Sequence, residues 1–108
     1  MKTINLKNLE KISHNIHKKL DNLISVFNYN NTSSYKVVKV STDKWFSFQV
    51  VGVDREFITG AVLDSLIELT KKYMKVYSNI FYVIDVYKEY KDGQVYSKAA
   101  FSINIEFN

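Results

Sequence analysis

Apolar residues recur every three or four positions along the first quarter of the chain, from Leu6 to Phe27. This spacing is typical of an amphipathic α-helix that buries one face, and it predicts a helix over residues 5–27. The lysines of this segment lie mainly off the apolar face, so they give the predicted helix a basic flank. Residues 28–34 are mostly Asn, Ser and Thr, a composition that indicates a loop.

Two short segments rich in β-branched and aromatic residues follow, at Tyr35–Val40 and Trp45–Val51. The residues between them, 41–44, have turn composition, so together they predict a β-hairpin whose register is open by one residue. Side chains alternate between the two faces of a strand in either register. The second strand therefore carries Phe46, Phe48 and Val50 on one face and Trp45, Ser47 and Gln49 on the other.

A second set of apolar residues at helical spacing runs from Ile58 to Tyr73 and predicts a helix over residues 55–75. Asp54 is placed to cap its first turn. Lysines in its last turn suit the negative end of the helix dipole. Gly60 falls inside the predicted helix, where it costs roughly 1 kcal/mol relative to Ala, which indicates close packing or early fraying.

The last part of the chain holds two longer alternating segments, Ile80–Lys91 and Gln94–Phe107, joined by Asp92 and Gly93. An Asp-Gly pair in this setting is the strongest short-range signal for a two-residue hairpin turn. Such a turn fixes the pairing and places the apolar residues of both strands on one face. The predicted partners on that face are Tyr90 with Val95, Val86 with Ala99, Ile84 with Phe101, Tyr82 with Ile103 and Ile80 with Ile105.

The predicted order is therefore helix, hairpin, helix, hairpin. We expect one α+β domain over residues 1–108, in which both helices pack on one face of a four-stranded antiparallel sheet. The composition agrees, since 46% of the residues are hydrophobic and 24% are charged. The absence of cysteine excludes a disulfide scaffold and a thiol nucleophile. No apolar run reaches the length of a membrane span and the first residues lack a secretory signal, so an intracellular protein is expected.

The net charge of +4 comes almost entirely from lysine, because Arg55 is the only arginine. Arginine is the usual residue for bidentate recognition of guanine in duplex DNA, whereas lysine contacts phosphate without selecting a sequence. Any nucleic-acid role should therefore tolerate many sequences. A charge of this size is also ordinary for a soluble small domain.

The sheet face turned away from the helices would mix aromatic rings with lysine and short polar side chains. Its predicted members are Trp45, Ser47, Gln49, Phe81, Tyr87, Tyr96, Lys98, Ser102 and Asn104. Three interpretations are open. In the first, the rings stack on unpaired bases while lysines contact phosphates. In the second, the face is a dimer or partner interface, where aromatic residues are enriched. In the third, the fold differs and this face belongs to the core.

Few residues are arranged for chemistry. His14 and His17 are three residues apart on the first helix, with Glu10 as a possible third ligand, but two solvated histidines are the better interpretation. Asp85 and Glu89 lie four residues apart on a strand, roughly 13 Å, too far for a glycosidase pair. No phosphate-binding glycine loop or nucleophile motif is present. We expect no enzyme activity, metal or cofactor.

The half of the chain from Asp54 to Phe107 resembles a known family. It combines a helix containing Ala61–Thr70, a lysine-rich exit and a long hairpin that closes with Ala100–Ile105. In this order of elements it is similar to the single-stranded DNA-binding proteins of small, short-tailed phages that replicate by protein priming. The resemblance implies a phage protein in the bacterial host cytoplasm that coats displaced DNA strands, and DNA rather than RNA as the ligand.

The sequence thus predicts a domain that binds single-stranded DNA without sequence preference and that self-associates along the strand. The residues expected to stack bases are Trp45, Phe81, Tyr87 and Tyr96. The lysines expected to contact phosphate are Lys36, Lys39 and Lys98. The alternative is a small phage or mobile-element protein that inhibits a host protein through the same aromatic face.

Overall fold

The computed structural model describes residues 1–31, 35–52, 58 and 60–107, and for residue 31 and residues 96–98 it describes the backbone alone. Two helices and two antiparallel hairpins alternate along the chain, which confirms the α+β class. The elements are α1 (Leu6–Asn31), β1 (Tyr35–Ser41), β2 (Trp45–Gly52), α2 (Gly60–Met74), β3 (Ile80–Lys91) and β4 (Gln94–Glu106).

The four strands form one antiparallel sheet in the order β1-β2-β4-β3, so the two hairpins meet through β2 and β4. Phe48 of β2 lies opposite Ile103 of β4 at this junction. One further pairing, a parallel bridge between Lys2 and Tyr77, ties the start of the chain to the segment between α2 and β3. Asn79 strengthens this tie, because its Oδ1 accepts a hydrogen bond of 2.9 Å from the backbone N–H of Ile4.

The register of β3 and β4 is the predicted one along its whole length, from Lys91 opposite Gln94 to Ile80 opposite Ile105. The turn residues Asp92 and Gly93 both have positive φ, 52° and 76°. Positive φ at both central residues is the geometry of the type I′ turn, whose twist matches that of the flanking strands. The turn chemistry therefore produces the register directly.

The hydrophobic core lies between the helices and one face of the sheet. α1 packs mainly against β1, and α2 packs against β3. Removing each large apolar side chain from water stabilises the fold by roughly 1.5–3 kcal/mol. The most fully buried of these side chains are Ile4, Ile16, Leu20, Phe48, Val50, Ile58, Leu66, Phe101, Ile103 and Ile105.

α1 continues to Asn31, four residues beyond its predicted end, so the prediction of a loop beginning at residue 28 was wrong. Two hydrogen bonds between the side chain of Asn28 and the backbone of Tyr35 accompany this longer helix. The Nδ2 of Asn28 donates to the backbone oxygen of Tyr35 at 2.7 Å, and its Oδ1 accepts from the Tyr35 N–H at 2.9 Å. Asn28 thus joins the last turns of α1 to the start of β1.

No helix in the described part of the chain has the length and apolar character needed to cross a bilayer.

Gly60 is the first residue of α2, and its φ of +58° lies in the left-handed region. A Cβ built at this position would meet no atom within 4 Å, so close packing, one of the two explanations considered from the sequence, was wrong. The glycine is required by the backbone conformation, which side chains disfavour. The predicted helix start at residue 55 was wrong, because Ile58 lies outside α2. The predicted cap at Asp54 lies outside the described residues.

Replacing Gly60 by Ala should lower the free energy of unfolding by about 1 kcal/mol, because Ala is strained at positive φ. Asn tolerates this region better, so Gly60→Asn should cost less than Gly60→Ala. Urea unfolding of the three proteins would measure the order. An alanine variant as stable as the parent would contradict the conformational explanation.

The β3–β4 hairpin extends well beyond the rest of the sheet. β2 pairs with β4 only over residues 101–106, so residues 85–100 form a two-stranded ribbon that we call the β-arm. Val86, Tyr90 and Val95 lie on the helix-side face of this arm, yet they are 68%, 79% and 52% exposed. The register of these residues is as predicted, but no helix covers them, because the arm projects past both helices. The molecule is accordingly 50 Å long and only 26 Å by 22 Å across.

Ser13 is fully buried in α1, and its Oγ has no hydrogen-bond partner among the described residues. Thr70 of α2 is buried to the same extent, but its Oγ1 donates to the backbone oxygen of Leu66 at 2.8 Å. An unpaired buried hydroxyl costs free energy, whereas a paired one roughly offsets its desolvation.

Ser13→Ala should therefore raise the free energy of unfolding by about 1 kcal/mol, helped by the higher helix propensity of Ala. Thr70→Val serves as the matched control, because it removes a hydroxyl that is already paired and should bring no gain. Thermal and urea unfolding of both variants would compare them. A loss of stability in Ser13→Ala would mean that the hydroxyl has a partner.

Candidate nucleic-acid interface

The sheet face turned away from the helices is open, and we call it the outer face. Alternation along the paired strands assigns its members. β1 and β2 contribute Lys36, Val38, Val40, Trp45, Ser47, Gln49 and Val51; β3 and β4 contribute Phe81, Val83, Asp85, Tyr87, Glu89, Lys91, Gln94, Tyr96, Lys98, Ala100, Ser102, Asn104 and Glu106.

Three aromatic rings predicted to contact a ligand lie uncovered on the outer face. Trp45 is 42% exposed, Phe81 is 37% exposed and Tyr87 is 52% exposed. The interpretation in which this face belongs to the core was therefore wrong. Ser47 lies on the same face but is only 6% exposed, on a central strand between Val40 and Asn104 in the register.

The rings fall into two groups along the sheet. Trp45 lies opposite Glu106, and Phe81 lies opposite Asn104, so their backbones are two strands and two residues apart, about 12 Å. Tyr87 is six residues from Phe81 along β3, about 20 Å. A ligand that touches all three rings must therefore be an extended chain or a protein surface rather than a small molecule.

Only one of the two predicted lysines of β1 lies on the outer face. Lys36 is exposed there, opposite Val51. Lys39 lies on the helix side instead, opposite Phe48, with its Nζ 4.3 Å from the centroid of the Phe46 ring. The prediction that Lys39 contacts the same ligand as Trp45 was wrong, because two residues three apart in a strand point to opposite faces.

Tyr96 and Lys98 are placed by their backbones alone. Lys98 pairs with Tyr87, and Tyr96 pairs with Glu89, so both positions belong to the outer face of the β-arm. Their side chains lie outside the described part of the structure. The register nevertheless brings both positions next to Tyr87, as predicted.

Carboxylates accompany the rings. Asp85 and Glu89 were identified from the sequence, and the pairing of β2 with β4 adds Glu106 opposite Trp45. By register the outer face thus carries three carboxylates against three lysines, at positions 36, 91 and 98. The rings are therefore not set in a basic surface, and much of the positive charge of the chain lies on the helices instead.

Two valines enlarge the apolar part of the outer face. Val40 at the edge of the sheet is 43% exposed, and Val83 between Phe81 and Asp85 is 37% exposed. Alternation along β1 from Lys36 and along β3 from Phe81 assigns both valines to this face. These side chains make the face suitable for an apolar or aromatic partner surface.

A small depression of about 100 Å³ lies between the two groups of rings, where β2 ends beside the β-arm. Gln49, Asp85 and Ser102 are the polar residues of its lining, and Val51 and Ala100 are among the apolar ones. The hydroxyl of Ser102 lies 3.5 Å from the Nδ2 of Asn104, which donates to it. Sequence reasoning missed this depression because three strands from both hairpins form it.

The two histidines of α1 have different surroundings. His14 is exposed, whereas the Nε2 of His17 lies 3.0 Å from the Oδ2 of Asp21 and its ring meets Phe48 edge-on at 5.4 Å. Within the described residues no group of three His, Cys, Asp or Glu side chains is arranged to hold a metal ion. Glu10, the third ligand considered from the sequence, is exposed on α1.

Comparisons of this chain with protein-family models, with curated proteins and with solved structures found no match. The resemblance to the phage single-stranded DNA-binding proteins therefore stays a prediction, and function must be inferred from the geometry of the outer face.

Proposed function

We propose that this protein binds single-stranded DNA along its outer face and coats the strand during replication, without requiring a defined sequence. The observation that carries this proposal is the exposure of Trp45, Phe81 and Tyr87 on one uncovered sheet face. Unpaired bases stack on such rings, and each stacked base contributes roughly 1–3 kcal/mol. The spread of the rings over about 20 Å suits a flexible strand of several nucleotides.

The charge distribution makes stacking the main source of affinity. With three lysine positions on the outer face, the logarithm of the binding constant should fall with the logarithm of salt concentration with a slope of about −2.1. A protein held chiefly by phosphate contacts would show a much steeper slope. The three carboxylates of the face would keep duplex DNA, whose bases are not available for stacking, from binding well.

Coating a strand requires neighbouring copies, because one small sheet covers few nucleotides. The exposed apolar side of the β-arm, with Val86, Tyr90 and Val95, offers a surface for such contacts. We place this activity in the cytoplasm of a bacterial host, in the replication of a small phage, as the resemblance implies.

Trp45→Ala and Tyr87→Ala should each weaken binding to a thymidine oligonucleotide by about 5- to 150-fold, the equivalent of one lost base stack. Fluorescence anisotropy of a labelled oligonucleotide would measure the dissociation constants. Because Trp45 is the only tryptophan, its emission should also be quenched when unlabelled DNA is added. Unchanged emission would remove Trp45 from the proposed interface.

The two lysines of β1 provide a matched pair of variants. Lys36→Gln should weaken binding to single-stranded DNA and make the salt slope shallower by about 0.7, because one phosphate contact is lost. Lys39→Gln should leave both quantities unchanged, since Lys39 lies over Phe46 on the opposite face. Equal losses in the two variants would show that DNA does not lie on the outer face.

A protein partner is the second candidate, namely inhibition of a host protein through the outer face. The exposed valines and the three carboxylates favour it, because neither feature helps to bind phosphate. Trp45→Ala would weaken either kind of complex. Gel shifts with single-stranded DNA, single-stranded RNA and duplex at low salt separate the candidates, because failure of every oligonucleotide to bind would favour the protein partner.

A further inference from the structure

The depression between the two groups of rings contains one residue that is a hydrogen-bond acceptor only, Asp85. Asp85 is exposed on β3 and lines this depression together with Gln49 and Ser102. An ionised carboxylate accepts hydrogen bonds through both oxygens and donates none. A volume of about 100 Å³ admits the edge of a base rather than a whole nucleotide.

The position of Asp85 relative to the rings fits recognition of a base edge. Tyr87 is two residues further along β3 on the same face, about 7 Å away. At this spacing a base that stacks on Tyr87 can bring its edge to the carboxylate of Asp85. In a single strand the Watson–Crick edge of that base is free to form hydrogen bonds with a protein.

The four bases differ in what this edge offers. Guanine presents two adjacent donors, N1–H and the N2 amino group, which match the two oxygens of a carboxylate. Cytosine and adenine present one amino donor beside a ring nitrogen that accepts, and thymine presents one N–H between two carbonyl oxygens. A carboxylate repels the acceptors of the last three bases, so guanine is the best partner.

We propose that Asp85 recognises guanine at this depression, so that the protein prefers single strands containing guanine while tolerating other sequences. This inference rests on the proposed function, because it assigns a base preference to the same outer face. The preference should be about five- to tenfold, the lower part of the range for a bidentate contact, since Asp85 is exposed to solvent.

The test compares oligonucleotides of about 15 nucleotides in which every third base of a thymidine strand is guanine, adenine, cytosine or thymine. The repeat places the variable base at the depression in some register of every complex, and isolated guanines avoid guanine quadruplexes. Dissociation constants measured at low salt should be about five- to tenfold lower for the guanine strand than for the other three.

Asp85→Asn should abolish this preference while keeping or raising the affinity for the all-thymidine strand, because one negative charge is removed. Glu106→Gln is the matched control, since Glu106 is also a carboxylate of the outer face but does not line the depression. It should raise affinity for all four strands equally and retain the preference. Circular dichroism would verify that both variants are folded.

Equal binding of all four strands to the parent protein, or a preference that survives Asp85→Asn, would overturn the inference and leave the proposed function standing. Absence of binding to every strand would overturn both. A preference for guanine that disappears only in Asp85→Asn would support the inference.

Discussion

The type I′ turn at Asp92 and Gly93 is the constraint on which the other features of the molecule depend. Because both residues have positive φ, the two strands leave the turn with a single allowed pairing. A slip of one residue would turn Phe101 and Ile103 towards solvent and place Ser102 in the core. Each displaced apolar side chain would cost roughly 1.5–3 kcal/mol, so the turn and the core enforce the same register.

The β-arm follows from a difference in length between helix and strand. α2 has 15 residues and is about 22 Å long, whereas β3, against which it packs, has 12 residues and is about 40 Å long. A helix of this length covers little more than half of the strand. The predicted helix over residues 55–75 would be about 32 Å long, so the same arithmetic would have left only the far end of β3, near Tyr90, beyond the helix. The sequence pattern placed both Val86 and Tyr90 on the helix-side face. Alternation shows which face a residue shares, but not whether a helix covers that part of the face.

The outer face could be predicted only in part for a similar reason. Alternation within each hairpin predicted that Trp45, Phe81 and Tyr87 share a face. The same alternation separates Lys36 from Lys39, because residues three apart in a strand point to opposite faces. The contact between β2 and β4 joins segments that are far apart in the chain, so no local turn specifies it. Glu106 beside Trp45 and the depression lined by Asp85 both arise from that contact, which is why sequence reasoning missed them.

The carboxylates of the outer face change what kind of binding it can support. A sheet with rings and lysines alone would bind any polyanion, including duplex DNA, because phosphate attraction does not depend on the bases. Carboxylates among the rings weaken that attraction and leave stacking and base-edge hydrogen bonds as the favourable terms. Such a face binds the phosphate backbone more weakly, but it discriminates better between strands whose bases are exposed and duplexes whose bases are paired. If the partner were a protein, the same carboxylates would also weaken non-specific binding of polyanions such as duplex DNA. Under either candidate function they would therefore reduce binding to ligands that offer only phosphate charge.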